Sequence, residues 1–176
     1  HNKFLIMDAY HTNPLKPVVL SGSTNWTIGQ LEDDRNNLVF IQDKSLAKVY
    51  TMEFEEMWGG SGPQPNSALA KFGPDKSDNT PHILNVGGKM VESYFSPSDN
   101  VNAQIIRTIQ SADHNLAFAT LVLTRTDLAY AIEDRALNYG VGVSGIMNDS
   151  SGGSGTAFQI IQSAIGTNML LFDFAN

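Results

Sequence analysis

The 176-residue chain carries a formal net charge of −7, 41% hydrophobic residues and no cysteine. This composition suits one ordinary folded domain with a hydrophobic core, and it excludes disulfides and thiolate metal sites. The acidic balance argues against a protein that mainly wraps nucleic acid, since phosphate affinity depends on clustered Lys and Arg. No apolar run reaches the roughly 18–20 residues of a membrane-spanning helix.

Three strands and one helix are predicted in the first third of the chain. Residues 1–7, 17–20 and 38–41 have the short apolar runs of strands, separated by turn-forming residues. Residues 45–58 have apolar side chains at the spacing of an amphipathic helix: Leu46, Val49, Tyr50, Phe54, Met57 and Trp58. We expect its acidic residues, Glu53, Glu55 and Glu56, to lie mainly on the solvent side.

The rest of the chain is predicted to alternate strands and helices after a linker. Residues 59–89 are poor in periodicity and rich in Gly, Pro, Asp and Asn, so we interpret them as that linker. The predicted elements that follow are a strand at 90–95, a helix capped by Asp99, a strand at 116–123, a helix from Asp127 closed by Gly140, a strand at 141–147, a helix around Phe158 and Ile161, and a strand at 169–174. This rhythm predicts an α/β fold with a mixed, largely parallel sheet flanked by helices.

One group of polar residues stands out at the start of the chain. His1, Lys3 and Asp8 have the spacing H-x-K-x4-D, and the loop Gly22-Ser23-Thr24-Asn25 supplies G-S-x-N. In an extended strand, alternate side chains share a face, so His1 and Lys3 point one way and Asp8 the other. The first two can therefore face a phosphate, and we expect Asp8 to brace the sheet.

These motifs resemble those of the phospholipase D superfamily. The similarity continues through Asn25-Trp26-Thr27, the strand at 38–41 and the helix that ends at Trp58. Later segments, such as Tyr94-Phe95-Ser96-Pro97, resemble the start of a second repeat. The resemblance implies a phospholipase D/nuclease-like fold in which 1–58 is the motif-bearing carboxy-terminal half of a first repeat, 59–89 a linker, and 90–176 the amino-terminal half of a second repeat without its own motif.

The resemblance also implies a chemistry for the motif residues. The reaction is metal-independent phosphoryl transfer or hydrolysis through a phosphohistidine, with no cofactor. His1 attacks phosphorus or acts as the acid, while Lys3 and Asn25 hold the phosphate oxygens. Ser23 helps to position these groups, and Asp8 has a supporting role. Gly22 is expected to let the backbone approach the phosphate closely.

A second motif is required because one histidine cannot be nucleophile and leaving-group acid in the same step. His11, His82 and His114 do not supply it, since none has a lysine two positions later. We expect the second motif to come from chain beyond Asn176 or from a dimer mate, with the natural amino terminus upstream of His1. The chain alone is then inactive. Asn36, where many relatives have a glutamate, cannot stabilise an imidazolium by charge and so weakens the expected competence.

Several alternatives remain at this stage. The acidic balance favours a phospholipid over a nucleic acid as the phosphodiester substrate, and the other hypotheses are a nuclease and a weakened binding or structural module of a secreted or cell-envelope bacterial protein. A metal site from His1, Asp8 and His11 is disfavoured by the strand alternation, so no metal is predicted. The loop 152–156 could bind phosphate at a helix N-terminus, and Asp75, Asp78 and Asn79 could hold calcium, but neither has a complete motif.

Overall fold

The computed structural model describes residues 2–172, which divide between Asp99 and Asn100 into two compact units. Each unit combines strands and helices, which confirms the predicted α/β class. Within residues 2–172, every helix falls short of the length and apolar character needed to cross a membrane.

An antiparallel sheet of three strands carries the motif residues of the first unit. Its strands are β1 (Phe4–Met7), β2 (Val18–Gly22) and β3 (Leu38–Gln42), in the order β1-β2-β3. The three strands were predicted at these positions, and their presence is confirmed. Between β2 and β3 the chain forms a short helix, α1 (Ile28–Glu32), which the sequence did not predict.

Helix α2 (Lys44–Trp58) packs against one face of this sheet. It begins where the Asp43 carboxylate accepts a hydrogen bond from the Leu46 amide at 2.8 Å, and it ends at Gly59, whose φ of +85° suits a glycine. The predicted helix 45–58 is therefore confirmed to within one residue. Its buried apolar side chains meet those of the sheet in a core that includes Ala9, Val19, Leu46 and Ala47.

The acidic face of α2 is not simply solvated, contrary to the sequence-based expectation. Glu53 is only 1% exposed, and its Oε1 accepts a hydrogen bond from Lys76 Nζ at 2.6 Å. Glu56 Oε1 accepts from the Ser77 amide at 2.9 Å, and Glu55 Oε1 accepts from Tyr10 Oη at 3.1 Å. The expectation failed because chain distant in sequence folds over this helix face and brings donors to the carboxylates.

A β-hairpin completes the first unit. Strands β4 (Ile83–Val86) and β5 (Lys89–Glu92) pair antiparallel around Gly87 and Gly88, whose φ values of +57° and +79° suit a two-residue type I′ turn. Strand β4 thus lies inside the segment that we interpreted as a linker. A Gly-Gly pair between apolar runs is itself a hairpin signal.

The second unit contains the parallel sheet that the β-α-β rhythm predicts. Its strands β6 (Asn115–Thr120), β7 (Gly142–Met147) and β8 (Met169–Leu171) are parallel and adjacent in that order. Its helices are α3 (Val101–Gln110), α4 (Thr126–Asn138) and α5 (Gly153–Ile165). The largely parallel arrangement therefore applies to this unit, whereas the sheet of β1, β2 and β3 is antiparallel.

Several predicted boundaries in this part of the chain differ from the structure. The strand predicted at 90–95 ends at Glu92, and the strand predicted at 116–123 ends at Thr120. Asp99 does not cap α3; Asn100 precedes the helix with φ +49°. The Asp99 carboxylate is instead buried and accepts hydrogen bonds from the Phe95 amide at 2.7 Å and Ser98 Oγ at 2.5 Å. The last strand, predicted through Phe174, ends at Leu171, and residues 173–174 lie outside the described residues.

Candidate active site

The pairing of β1 with β2 brings the two halves of the motif to one end of the sheet. Phe4 lies opposite Ser21 in the antiparallel register, so Lys3 and Gly22 are the next residues outward on their strands. Lys3 is half-buried. His1 lies outside the described residues, so the predicted His1–Lys3 pair is represented here by Lys3 alone.

Gly22 is required by a close backbone approach at the end of β2. A Cβ atom at this position would lie 2.1 Å from the carbonyl oxygen of Asn37, where the chain enters β3. The sequence suggested that Gly22 makes room for a phosphate. In the folded unit, the backbone of residue 37 fills the space that a side chain would need.

Ser23 and Asn36 are joined directly by a hydrogen bond. Ser23 Oγ donates to Asn36 Oδ1 at 2.9 Å and accepts from the Asn37 amide at 3.0 Å, while the Ser23 amide donates to the Asn37 carbonyl at 3.1 Å. These bonds fix both the backbone and the hydroxyl of Ser23. Asn36, at the usual glutamate position, therefore holds the G-S-x-N loop in this chain.

Gln30 links the other members of this loop and was missed by the sequence analysis. Its side-chain Oε1 accepts from Asn25 Nδ2 at 3.3 Å, and its backbone carbonyl accepts from Asn36 Nδ2 at 3.1 Å. The side-chain Nε2 of Gln30 also donates to the Asp34 carboxylate. Gln30 sits on α1, which was not predicted, so no pattern in the sequence pointed to it.

Asp8 follows β1 rather than belonging to it. The strand ends at Met7, and Asp8 is exposed with φ +56°, so the alternation of strand side chains does not extend to it. Its carbonyl accepts from the His11 amide at 2.9 Å, which closes the first turn of the long β1–β2 connection. The supporting role of Asp8 remains a prediction.

The sheet face that carries Lys3 is apolar and open. By strand alternation, Lys3 shares this face with Leu5 and Met7, and the register adds Leu38 and Phe40. Leu5, Met7, Leu38 and Phe40 are 39–66% exposed, and we call these four side chains the open apolar face. Leu20, at the centre of the same face, is buried.

A cavity of about 260 Å³ lies on the other side of this sheet within the first unit. It is bounded by strand residues, by α2 and by the hairpin: Ser21, Gly22, Val39, Ile41, Leu46, Tyr50, Val91, Glu92 and Ser93. Ser21 and Val39 share a register row with Phe4, which faces α2 and contacts the Tyr50 ring edge-on at 5.2 Å. The cavity therefore does not adjoin the face of Lys3.

A histidine with two carboxylates near the end of the hairpin has the composition of a metal site. His82 Nε2 lies 2.9 Å from Asp78 Oδ1, and His82 Nδ1 lies 3.0 Å from the Ser93 carbonyl and 3.8 Å from Asp99 Oδ2. Burial lowers the pKa of His82, but the hydrogen bonds to Ser93 and Asp78 and the charge of Asp99 outweigh burial and raise it. Acceptors at both ring nitrogens favour an imidazolium, which cannot bind a metal.

Two of the three ligand sites weighed from the sequence gain little from the geometry. His11 Nδ1 accepts from the Asn13 amide at 2.9 Å, so this ring nitrogen is engaged within the loop. At the start of α5, the amides of Ser154 and Gly155 donate to carbonyls of residues 151 and 152. These amides are therefore already engaged within the turn proposed to cradle phosphate.

Comparison with known proteins relates the motif-bearing segment to a known family. The family described as cardiolipin synthase, PLD-like domain, matches residues 1–58, the segment that holds the paired motif strands, the Ser23 loop and α2. Residues 1–58 are thus similar to the phospholipase D-like domains of that family.

The curated relatives are all described as mitochondrial cardiolipin hydrolase. The Xenopus tropicalis protein is 33% identical over 78 residues, which is 44% of this chain and 32% of the relative. The human protein is 29% identical over 93 residues, 52% of this chain and 33% of the relative, and the dog protein 27% over 104 residues, 58% and 37%. The chain thus matches about a third of their length. These relatives are animal proteins, and the bacterial origin inferred from the sequence remains a prediction.

Proposed function

We propose that this chain forms part of a phosphodiesterase that cleaves a phospholipid head-group ester without a metal. The observation that carries the proposal is the antiparallel pairing of β1 with β2, which sets Lys3 beside the Gly22–Asn25 loop. A lysine and an amide at one end of a sheet provide donors of the kind that a phosphodiester anion needs. The similarity of residues 1–58 to phospholipase D-like domains supports the same reaction class.

The proposed reaction has two steps. His1 attacks phosphorus, and the bond to the leaving alkoxide breaks as a histidine of a second motif donates it a proton. Water then attacks the phosphohistidine as that second histidine takes back a proton, which releases the phosphate monoester and free His1. Lys3 and Asn25 bind the non-bridging oxygens in both steps, and Ser23, held by Asn36, positions them.

The second motif is proposed to come from further chain or from a dimer mate. The open apolar face supports this proposal, because Leu5, Met7, Leu38 and Phe40 lie exposed beside the strand position of Lys3. Exposed apolar patches of this kind mark contact with another protein surface or with lipid. A phospholipid is preferred to nucleic acid because of the net charge of −7 and the names of the relatives, which specify cardiolipin.

The test compares the 176-residue chain with a longer natural form that includes a second motif. Both are assayed on cardiolipin, phosphatidylcholine, a chromogenic phosphodiester and single-stranded DNA, with and without a chelator. We expect chelator-resistant lipid hydrolysis by the longer form and background rates for the short one. Preference for DNA would favour the nuclease hypothesis, and a longer form with a degraded motif and no activity would favour a binding module.

A further inference from the structure

A buried carboxylate on α2 reaches the start of the motif strand. Glu53 is 1% exposed, and its Oε1 accepts two hydrogen bonds, from Asn2 Nδ2 at 2.8 Å and from Lys76 Nζ at 2.6 Å. In the sequence, Asn2 lies between His1 and Lys3, the two residues predicted to contact the phosphate. One oxygen thus joins the motif segment, the helix and the segment around residue 76.

This carboxylate is tolerated in the interior because its charge is neutralised and hydrogen-bonded. The Lys76 side chain is 4% exposed, and its ammonium group also donates to the Ser96 carbonyl at 3.1 Å and lies 5.8 Å from the Phe95 ring centre. Burying an ion pair is unfavourable unless its geometry is good and its remaining donors are satisfied. The contacts of Lys76 meet that condition, and Glu53 Oε1 also accepts the hydrogen bond from Asn2.

The position of Asn2 explains what the contact does. The paired part of β1 begins at Phe4, so residues 2 and 3 precede the ladder of backbone hydrogen bonds with β2. By strand alternation, Asn2 and Phe4 point toward α2, and Lys3 points to the opposite face. Asn2 meets Glu53, and Phe4 meets Tyr50 one helical turn earlier on α2. Two contacts, Asn2–Glu53 and Phe4–Tyr50, therefore hold the α2-facing side of the motif segment.

We infer that Glu53, paired with Lys76, is a positioning residue that fixes the H-x-K segment through the side chain of Asn2. The inference rests on the proposed phosphodiesterase function. Displacement of reacting groups by about 1 Å can lower a rate by about 100-fold. Loss of the Asn2–Glu53 bond is therefore expected to slow the chemical step more than it weakens substrate binding.

The test uses exposed Asn2, whose replacement leaves the Glu53–Lys76 pair intact. Asn2→Ala is expected to lower kcat on a chromogenic phosphodiester by about 10–100-fold while KM stays within about twofold. Asn2→Asp sets a carboxylate against Glu53 and should be at least as slow.

Glu56→Gln is the matched control. Glu56 lies on the same helix, its side chain is 4% exposed, and its Oε1 binds the Ser77 amide in the neighbouring segment, so it shares the structural setting of Glu53 without touching Asn2. Its kcat is expected to equal that of the wild type. Backbone ¹⁵N order parameters of residues 2 and 3 should fall below about 0.6 in Asn2→Ala and remain near about 0.85 in Glu56→Gln.

The outcomes separate this inference from the proposed function. Unchanged order parameters in Asn2→Ala overturn the inference whatever the activity. An unchanged kcat in Asn2→Ala also overturns it, provided that Lys3→Ala abolishes the phosphodiesterase activity. Phosphodiesterase activity that is absent from the longer natural form, or that survives Lys3→Ala, overturns the proposed function, and the order parameters then still decide whether Glu53 anchors the segment.

Discussion

The side-chain amide of Asn36 hydrogen-bonds both to the Gly22–Asn25 loop and to α1. Its Oδ1 accepts from Ser23 Oγ while its Nδ2 donates to the Gln30 carbonyl at 3.1 Å. A glutamate carboxylate at this position could accept the hydrogen bond from Ser23 Oγ, but it could not donate one to the Gln30 carbonyl. The neutral side chain thus connects Ser23 to α1, at the loss of a charge that could stabilise an imidazolium.

Gly22 gives a stability prediction at the scale of one atom. Gly22→Ala would place Cβ 2.1 Å from the Asn37 carbonyl oxygen, so we expect it to reduce the free energy of unfolding by about 1–3 kcal/mol. Gly29→Ala is the control, because its Cβ would meet only Asp33 Oδ2 at 3.8 Å. Urea unfolding followed by tryptophan fluorescence measures both variants, and equal stabilities would contradict the steric explanation.

His82 predicts a pH dependence of stability. Its pKa is raised in the folded unit, so its contribution is fully present below the unfolded value of about 6.5 and is lost as the pH rises through the folded pKa. The free energy of unfolding is expected to fall as the pH rises above about 6.5, and His82→Gln should flatten this part of the profile. A slope in His82→Gln that matches that of the wild type would refute the assignment.

At the scale of elements, the buried pair of Glu53 and Lys76 shows why α2 is more than an amphipathic helix. Lys76→Met removes the cation and leaves the Glu53 carboxylate buried beside a methyl group. We expect a loss of about 3–5 kcal/mol in the free energy of unfolding. Lys71→Met is the comparison, since Lys71 is half-exposed and 3.8 Å from Glu56, and it should cost less than about 1 kcal/mol. Similar losses in the two variants would argue against a special role for the buried pair.

The elements also indicate which parts of the structure were accessible from the sequence. Periodicity predicted α2 to within one residue and placed β1, β2 and β3, because each of these elements has a local apolar pattern. The burial of Glu53 could not be predicted, since the lysine that neutralises it lies 23 positions away. Strand β4 was missed because its Gly-Gly turn stands in a stretch dominated by loop-forming residues.

The candidate site also has features that the sequence predicted and features that it did not. The spacing of Lys3 and the Gly22–Asn25 loop indicated the family, and the β1–β2 register brings these residues to one end of the sheet. The bonds among Ser23, Asn36 and Gln30 depend on the path of the chain between β2 and β3. Such contacts depend on the tertiary structure, because no sequence period relates the three residues.

On the scale of the whole molecule, the phosphodiesterase proposal depends on a complete pair of motifs. The 176-residue sequence has one H-x-K-x4-D pattern, and the relatives that it matches are about three times as long as the matched segment. The first unit brings together one set of proposed phosphate-binding side chains, and the reaction as proposed requires a second histidine as acid. We therefore propose that phosphodiesterase activity requires both motifs in one assembled protein.

The most direct test is the kcat/KM of the longer natural form on a chromogenic phosphodiester, compared among the wild type, His1→Ala and Lys3→Ala. We expect His1→Ala to lose at least about 10³-fold and Lys3→Ala at least about 10²-fold, because they remove the nucleophile or acid and a cation at the phosphate. Wild-type kcat/KM in His1→Ala would contradict the assignment of this motif as the phosphodiesterase site.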